Sequence, residues 1–418
     1  MARLLLLTYG SRGDVEPFVA LGLALRAAGH AVTLATAPRF EGWAREAGLA
    51  FAPIDGASLD LIDSPAGQAM IEGTGGLLGR VAAGARLSRG AGELNARMMA
   101  DAAAAAGAVR PEALVFHPKA MAGGHLAEAL RVPAFLVTLQ PLLEPTAAFS
   151  ASLGDMRLGA LNRASYRLVS LSYAGFRGRV NAFRAGLGLP PIRRAAEVMR
   201  PPGAGEMPLL HAISPKVLPR PADWPARAKM TGFWRLPPAP FEPPPELAAF
   251  LAAGPPPVFV GFGSMPSRDP EGLGRLIAEA LALAGRRGVV ARGWAGLEVA
   301  ASENLLALPP MPYAWLFPRM AAVVHHGGAG TTAEAFHAGV PQAVVPFFAD
   351  QPFWAARTVA LGVGAPPLPR RRLTAARLAD AIRATDDPDK RDRAQALAEA
   401  LSAEDGLAET VCLIEAAL

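Results

Sequence analysis

"VVHHGGAGTTAEAFHAGVPQAVVPFFADQPFWA" runs from Val323 to Ala355, and its reading decides the fold. Two apolar runs bracket it, each of a length that suits a buried strand. Between them stand two histidines, three glycines within four residues, two threonines and a glutamate. The glycines fall where a strand should turn into a helix. Glycine lets backbone amides approach a ligand with no Cβ in the way. A helix start offers unpaired amides and the positive end of a dipole. His326, Gly328, Ala329, Gly330 and Thr331 are therefore a candidate phosphate cradle. A competing reading needs no ligand: Thr331 opens the helix and Glu334, three residues on, completes a capping box. The pattern is neither G-x-G-x-x-G nor G-x-x-x-x-G-K-S/T, which weighs against dinucleotide oxidoreductases and P-loop enzymes. Asp350 and Gln351 follow a strand-like run and precede a helix. A carboxylate beside an amide suits several sugar hydroxyls, and an N-cap by Asp350 is the plain alternative.

The same alternation recurs toward the N-terminus. Leu4 to Thr8 reads as a strand, "GSRGD" (Gly10 to Asp14) as a turn, and the next stretch as a helix starting near Glu16 and ending at Gly29. Strands follow at Ala31 to Thr36, Ala113 to Pro118 and Ala134 to Leu139. Buried strands alternating with helices imply a parallel sheet covered on both faces. Prolines then crowd Pro190 to Pro257 and suggest connector and loop. Alternation restarts at Pro257 to Met265, with a helix near Glu271 to Ala284 and a further strand at Gly288 to Gly293. The expectation is a two-domain α/β chain: residues 1–207, a proline-rich connector at 208–256, a second domain at 257–390, and a C-terminal helical stretch at 391–418 that packs back on the first domain. Asp14 lies at a strand's carboxyl end, where an acid serves as a general base or as a helix cap. Arg12 stands ready to neutralise it or to meet an acidic ligand. His117 lies at the same edge of that sheet. Ser264, in "GFGSM", occupies the matching turn of the second half and offers an outer phosphate a hydroxyl and an amide.

The 418 residues carry a formal net charge of +5 and a single cysteine, Cys412. One cysteine excludes an internal disulfide and a thiolate metal site, and a reducing cytoplasm fits. No run of five or six like charges points to nucleic acid; a mild basic excess suits an anionic small ligand or a membrane surface. Leu4 to Leu7 is too short for a leader, and no stretch reaches about 18 uninterrupted apolar residues.

Together these residues resemble the UDP-dependent glycosyltransferase superfamily, inverting enzymes of two facing Rossmann-like domains (the GT-B type) with a cleft between them. The Val323–Ala355 stretch is similar to that superfamily's donor signature along its length, and "TYGSRGDVEPFVALGLALRAAGH" to its N-terminal acceptor-side motif. "DWPARAKMTGFW", "VFVGFGSMP" and "PYAWLFPRMAAVVHHGGAGTT" bring it nearest the sterol and lipophilic-aglycone glucosyltransferase branch. The resemblance implies that His326 and the amides of Gly328 to Thr331 hold the donor pyrophosphate, with Ser264 on the β-phosphate. It implies Glu334 on ribose hydroxyls, Asp350 and Gln351 on the hexose, and Asp14 as the base, with His117 the alternative. Arg12, Trp294 and Tyr313 fall in the nucleobase or acceptor neighbourhood. Relatives often carry His-Asp where this chain has Tyr313 and Ala314. Implied too are UDP-glucose as co-substrate, no cofactor and no metal, a lipophilic hydroxyl acceptor, a β-glycoside product, and a cytoplasmic enzyme in transient contact with the membrane's inner face. A nucleotide-sugar epimerase or hydrolase on the same scaffold, and a non-catalytic binder, are the rival readings.

Overall fold

The computed structural model describes residues 1–56, 77–151, 159–238, 240–263, 269–293, 297, 299–309, 311–347 and 349–418, without the side chains of residues 77–91 and 160. Leu4–Leu7 is the centre of β1 (Arg3–Leu7) and is fully buried. A strand covered on both faces reads as one continuous apolar run. It is joined by β2 (Ala31–Thr36), β3 (Ala50–Pro53), β4 (Ala113–Phe116), β5 (Ala134–Thr138), β6 (Leu209–His211) and β7 (Ala228–Met230). All pairings are parallel, in the order β3-β2-β1-β4-β5-β6-β7. The last two strands come from 208–256, the span expected as connector. Its prolines flank these strands without interrupting them, so no ladder bond is lost, and the first sheet extends to Met230.

The second sheet is also parallel and has the order β10-β9-β8-β11-β12. Its strands are β8 (Val258–Gly261), β9 (Gly288–Ala291), β10 (Leu305–Leu308), β11 (Ala322–His325) and β12 (Gln342–Val344). β8 stops at Gly261, short of the expected Met265, which lies outside the described residues. In each sheet the chain winds outward for two strands and then returns to the other side of its first strand. The order therefore reverses between β1 and β4, and again between β8 and β11. Loops beyond the carboxyl ends of such a pair splay apart and leave a crevice.

The helices that matter for the site are α1 (Arg12–Ala27), α2 (Leu77–Val109), α3 (Ala122–Leu130), α4 (Pro270–Ala284), α5 (Tyr313–Leu316), α6 (Ala329–His337), α7 (Gln351–Ala360), α8 (Pro388–Ser402) and α9 (Gly406–Glu415). In α1 the buried residues Val15, Phe18, Val19, Gly22 and Leu25 keep helical spacing and face the sheet. Helix α1 starts at Arg12, four residues before the expected Glu16, because Ser11 is its N-cap. The C-terminal stretch is broken at Asp405, whose side chain accepts from Ala408 N and starts α9. That helix crosses to the first domain, where Val411 and Ile414 enter the core around Val15 and Phe18, and Glu415 meets His30 at 3.1 Å. A second shared core joins Ile213, Val217 and Trp224 to Phe336, Phe353, Trp354 and Leu401.

Candidate active site

The reversal between β1 and β4 brings Gly10–Asp14 beside His117–Lys119. Asp14 is the third residue of α1, inside the first turn and not in the loop before it. Its Oδ2 accepts from Ser11 N at 2.8 Å and from Ser11 Oγ at 3.1 Å. Its Oδ1 accepts from Lys119 Nζ at 2.7 Å and faces His117 Nε2 at 3.9 Å. One oxygen therefore caps the helix while the other is turned to two basic side chains. Gly10, at φ +126°, lets the backbone pass here: a Cβ on it would lie 2.1 Å from Asp14 Oδ2. Burial by itself would raise the Asp14 pKa; the charges of Lys119 and His117 and the hydrogen bonds outweigh it, and the carboxyl is held below its ordinary value. His117 is pushed down to about 4, chiefly by burial, with Asp14 opposing and Lys119 assisting. Its Nδ1 accepts from the Lys119 amide at 3.2 Å. A neutral ring with Nδ1 accepting there turns an Nε2 proton toward Asp14 Oδ1.

Arg12 does not neutralise Asp14. It pairs with Glu16 at 2.7 Å and lies 5.0 Å over the Trp43 ring. Lys119 takes that place, a residue absent from the sequence reading. The strand-order rule that put His117 at this edge could have found it, since Lys119 lies two residues further along the same loop.

At the second reversal His326 follows β11 and is 9% exposed. A Cβ on Gly328 would lie 2.5 Å from its Nε2, and one on Gly263 3.0 Å from its Cε1, so only glycines leave room for the ring. Burial lowers its pKa to about 4, which leaves it neutral near pH 7. Its Nδ1 is buried with no partner among the described residues. An orphaned ring nitrogen beside a helix start is what an incoming anion would satisfy. His325 is spent internally: Nδ1 accepts from Gly327 N at 3.1 Å and Nε2 donates to Gln342 Oε1 at 2.9 Å.

The capping box expected of Thr331 and Glu334 is absent. Gly328 is the N-cap and α6 starts at Ala329, so Thr331 is already its third residue. An early start puts Gly328 at the cap, where its small size admits the His326 ring. Glu334 instead forms a two-pronged pair with Arg235, Nε to Oε1 at 2.7 Å and Nη2 to Oε2 at 2.9 Å. Asp350 is the N-cap residue of α7, yet its side chain makes no cap bond. Its Oδ2 accepts from Trp354 Nε1 at 2.9 Å. Gln351 Oε1 accepts from Phe347 N at 2.7 Å. Ser264 and Trp294 lie outside the described residues.

The two halves face each other. Asp350 is raised to about 6, mainly by burial and further by the negative charge of Asp14; the Trp354 hydrogen bond and Lys119 oppose this. An acid of the second domain thus feels both the acid and the ammonium of the first. Tyr313 stacks on Phe317 with ring centroids 4.5 Å apart, and burial raises its hydroxyl pKa. The charges of Arg12 and Glu16, from the first domain, also act on it. Among the described residues no group of three or more His, Cys, Asp or Glu is placed to hold a metal ion.

Residues 4–143 match the glycosyltransferase family 28 N-terminal domain, and residues 299–416 match the "Erythromycin biosynthesis protein CIII-like, C-terminal domain" family. The chain is 38% identical over 420 residues to O-mycaminosyltylonolide 6-deoxyallosyltransferase of Streptomyces fradiae, covering 99% of this chain and 97% of that protein. It is 36% identical over 423 residues to Sterol 3-beta-glucosyltransferase UGT80A2 of Arabidopsis thaliana, covering 98% of this chain but only 64% of that longer protein. The crystal structure of the glycotransferase of kitacinnamycin superposes with a TM-score of 0.75 at 21% identity, covering 100% of this chain and 99% of that one. This likeness speaks for the GT-B fold alone.

Proposed function

The chain belongs to the UDP-glycosyltransferase superfamily, and we propose that it moves a hexose, glucose from UDP-glucose, to a hydroxyl of a lipophilic small molecule. A sterol, a polyketide or a polyphenol is the acceptor class, and the product is a β-O-glycoside formed by single displacement. The observation that carries this is that the two strand-order reversals lie near enough for the charges of Asp14 and Lys119 to act on Asp350. Asp14 stands on one side, and on the other Asp350 together with His326, whose Nδ1 has no partner among the described residues.

The chemistry follows from these groups. The acceptor hydroxyl approaches Asp14 Oδ1, takes the place of Lys119 in its hydrogen bond, and gives up its proton as the bond to the sugar forms. Asp350 and Gln351 orient the hexose. The leaving diphosphate gathers charge at the start of α6. His326, neutral and short of a partner, donates to it together with the amides of Gly328 to Thr331, and Ser264 meets the β-phosphate. Such donors need no reorganisation when the charge appears. Glu334 meets the ribose while still held by Arg235, and Tyr313 borders the nucleobase or acceptor space. No helix among the described residues is long and apolar enough to cross a membrane; the enzyme works in the cytoplasm and touches the membrane from that side.

Calorimetric titration with UDP tests the donor half of this reading. His326→Ala should weaken UDP binding and lower kcat by roughly 10²-fold or more, the scale of losing one donor to developing charge. Wild-type protein that is folded yet takes up no UDP would overturn the donor assignment.

A further inference from the structure

Residues 156–196 hold eight arginines and no lysine, aspartate or glutamate. That +8, set against a chain total of +5, leaves −3 for everything else. The arginines are spaced, which hides the concentration from a search for charge runs. Arg184 is buried against Glu128 and Arg163 reaches Asp223 at 2.6 Å, while Arg167, Arg177, Arg179, Arg193 and Arg194 are exposed.

The helix Asn162–Ala174 in this segment packs Tyr166 and Tyr173 inward yet also carries leucines on its outer face. Its buried residues are Asn162, Ser165 and Tyr166, with Asn162 donating to Ala147 O at 2.8 Å and Ser165 to Asn162 O at 2.6 Å. Its outer face carries Leu168 and Leu171, 58% and 63% exposed, in line with Leu161 just before it at 63%. Spacings of seven and three residues put the three leucines on one side. Eight large hydrophobic residues are exposed among the described residues, and these three fall within eleven positions. Folding alone would bury leucines and expose asparagine and serine. A helix that shows three leucines to solvent while burying Asn162 and Ser165, with exposed Arg167 beside Leu168, presents an apolar stripe with a cation at its border.

We propose that the face formed by Leu161, Leu168 and Leu171 with Arg167 docks on an anionic lipid surface, the leucines entering the headgroup boundary and the arginines meeting lipid phosphates. Apolar burial combined with attraction to anionic lipids is how an interfacial helix binds. The net −3 on the rest of the chain is repelled by the same surface and turns this face toward it. A second copy would set like charges against each other, and a nucleic acid would leave the leucines in water. The inference is independent of the transfer reading, because lipid binding and donor binding are measured separately.

The test is cosedimentation of the full chain with vesicles of phosphatidylcholine alone or with 30% phosphatidylglycerol, at about 50 mM and 500 mM salt. Binding is expected only with phosphatidylglycerol and should fall steeply at the higher salt. Each basic residue near the surface is worth about 1 kcal/mol, or about five-fold, so Arg167→Glu, a change of two charges, should weaken binding about 25-fold. Leu168→Ser with Leu171→Ser should weaken it at least about ten-fold while leaving UDP affinity and the melting temperature unchanged. No binding to the anionic vesicles, or binding that these variants leave intact, overturns the proposal. So does a lipid-free dimer abolished by the leucine changes, or a DNA duplex bound as tightly as the vesicles.

Discussion

Replacing Asp14 with asparagine separates the two tasks of its carboxylate. The remaining oxygen can still accept from Ser11 N, now bonded at 2.8 Å, so the helix start survives. The new amide faces Lys119 Nζ, donor against donor, and the 2.7 Å ion pair is lost. The Lys119 side chain is 52% exposed, and a pair screened to that degree contributes at most about 1 kcal/mol. Unfolding entropy is roughly 2.1 cal/mol/K per residue, about 0.9 kcal/mol/K for a chain of 418 residues. The expected fall in melting temperature is therefore about 1 °C. Loss of the proton acceptor acts on a different scale, about 10²–10⁴-fold in kcat. UDP affinity should hold, because the groups proposed to hold the donor lie on the other domain. Initial rates of glycoside formation, a thermal melt and a UDP titration on one preparation read all three. If kcat stays within a few-fold of wild type, Asp14 serves only as a helix cap and partner of Lys119, and the base assignment fails.

Lys119→Met removes the cation that holds the Asp14 carboxyl down. The carboxyl pKa should rise, so the acid limb of kcat/KM for the acceptor should move to higher pH by up to about 0.7 unit, the equivalent of about 1 kcal/mol; an unmoved limb would show that Lys119 does not set the charge of Asp14. Asp350, raised to about 6 by burial, should be protonated below that pH and then offer the hexose one fewer acceptor oxygen. Hence kcat/KM for UDP-glucose should fall as pH drops through about 6, and Asp350→Asn should flatten that limb while lowering the plateau; a limb that persists in the variant belongs to another group.

The sequence by itself determined the two-domain α/β architecture and the sheet edge at which Asp14, His117 and His326 stand. Both rest on short-range patterns: buried parallel strands read as apolar runs, and glycines mark the turns that follow them. It could not tell that β6 and β7 extend the first sheet, because strands of three residues between prolines carry almost no periodic signal. The tertiary structure decided which partner each charged group takes. Asp14 and Lys119 are 105 positions apart, and Glu334 and Arg235 are 99 apart. Arg12, two residues from Asp14, faces Glu16 and Trp43 because a helix sends neighbouring side chains in different directions. Local chemistry offered Thr331 and Asp350 as caps, and packing overruled both. The His326 ring needs Gly328 at the start of α6, and Trp354, in the core shared by the two domains, draws the Asp350 carboxylate away from the start of α7. Charge and burial at this site are set by contacts that exist only once the two strand-order reversals face each other, so no window of sequence contains them.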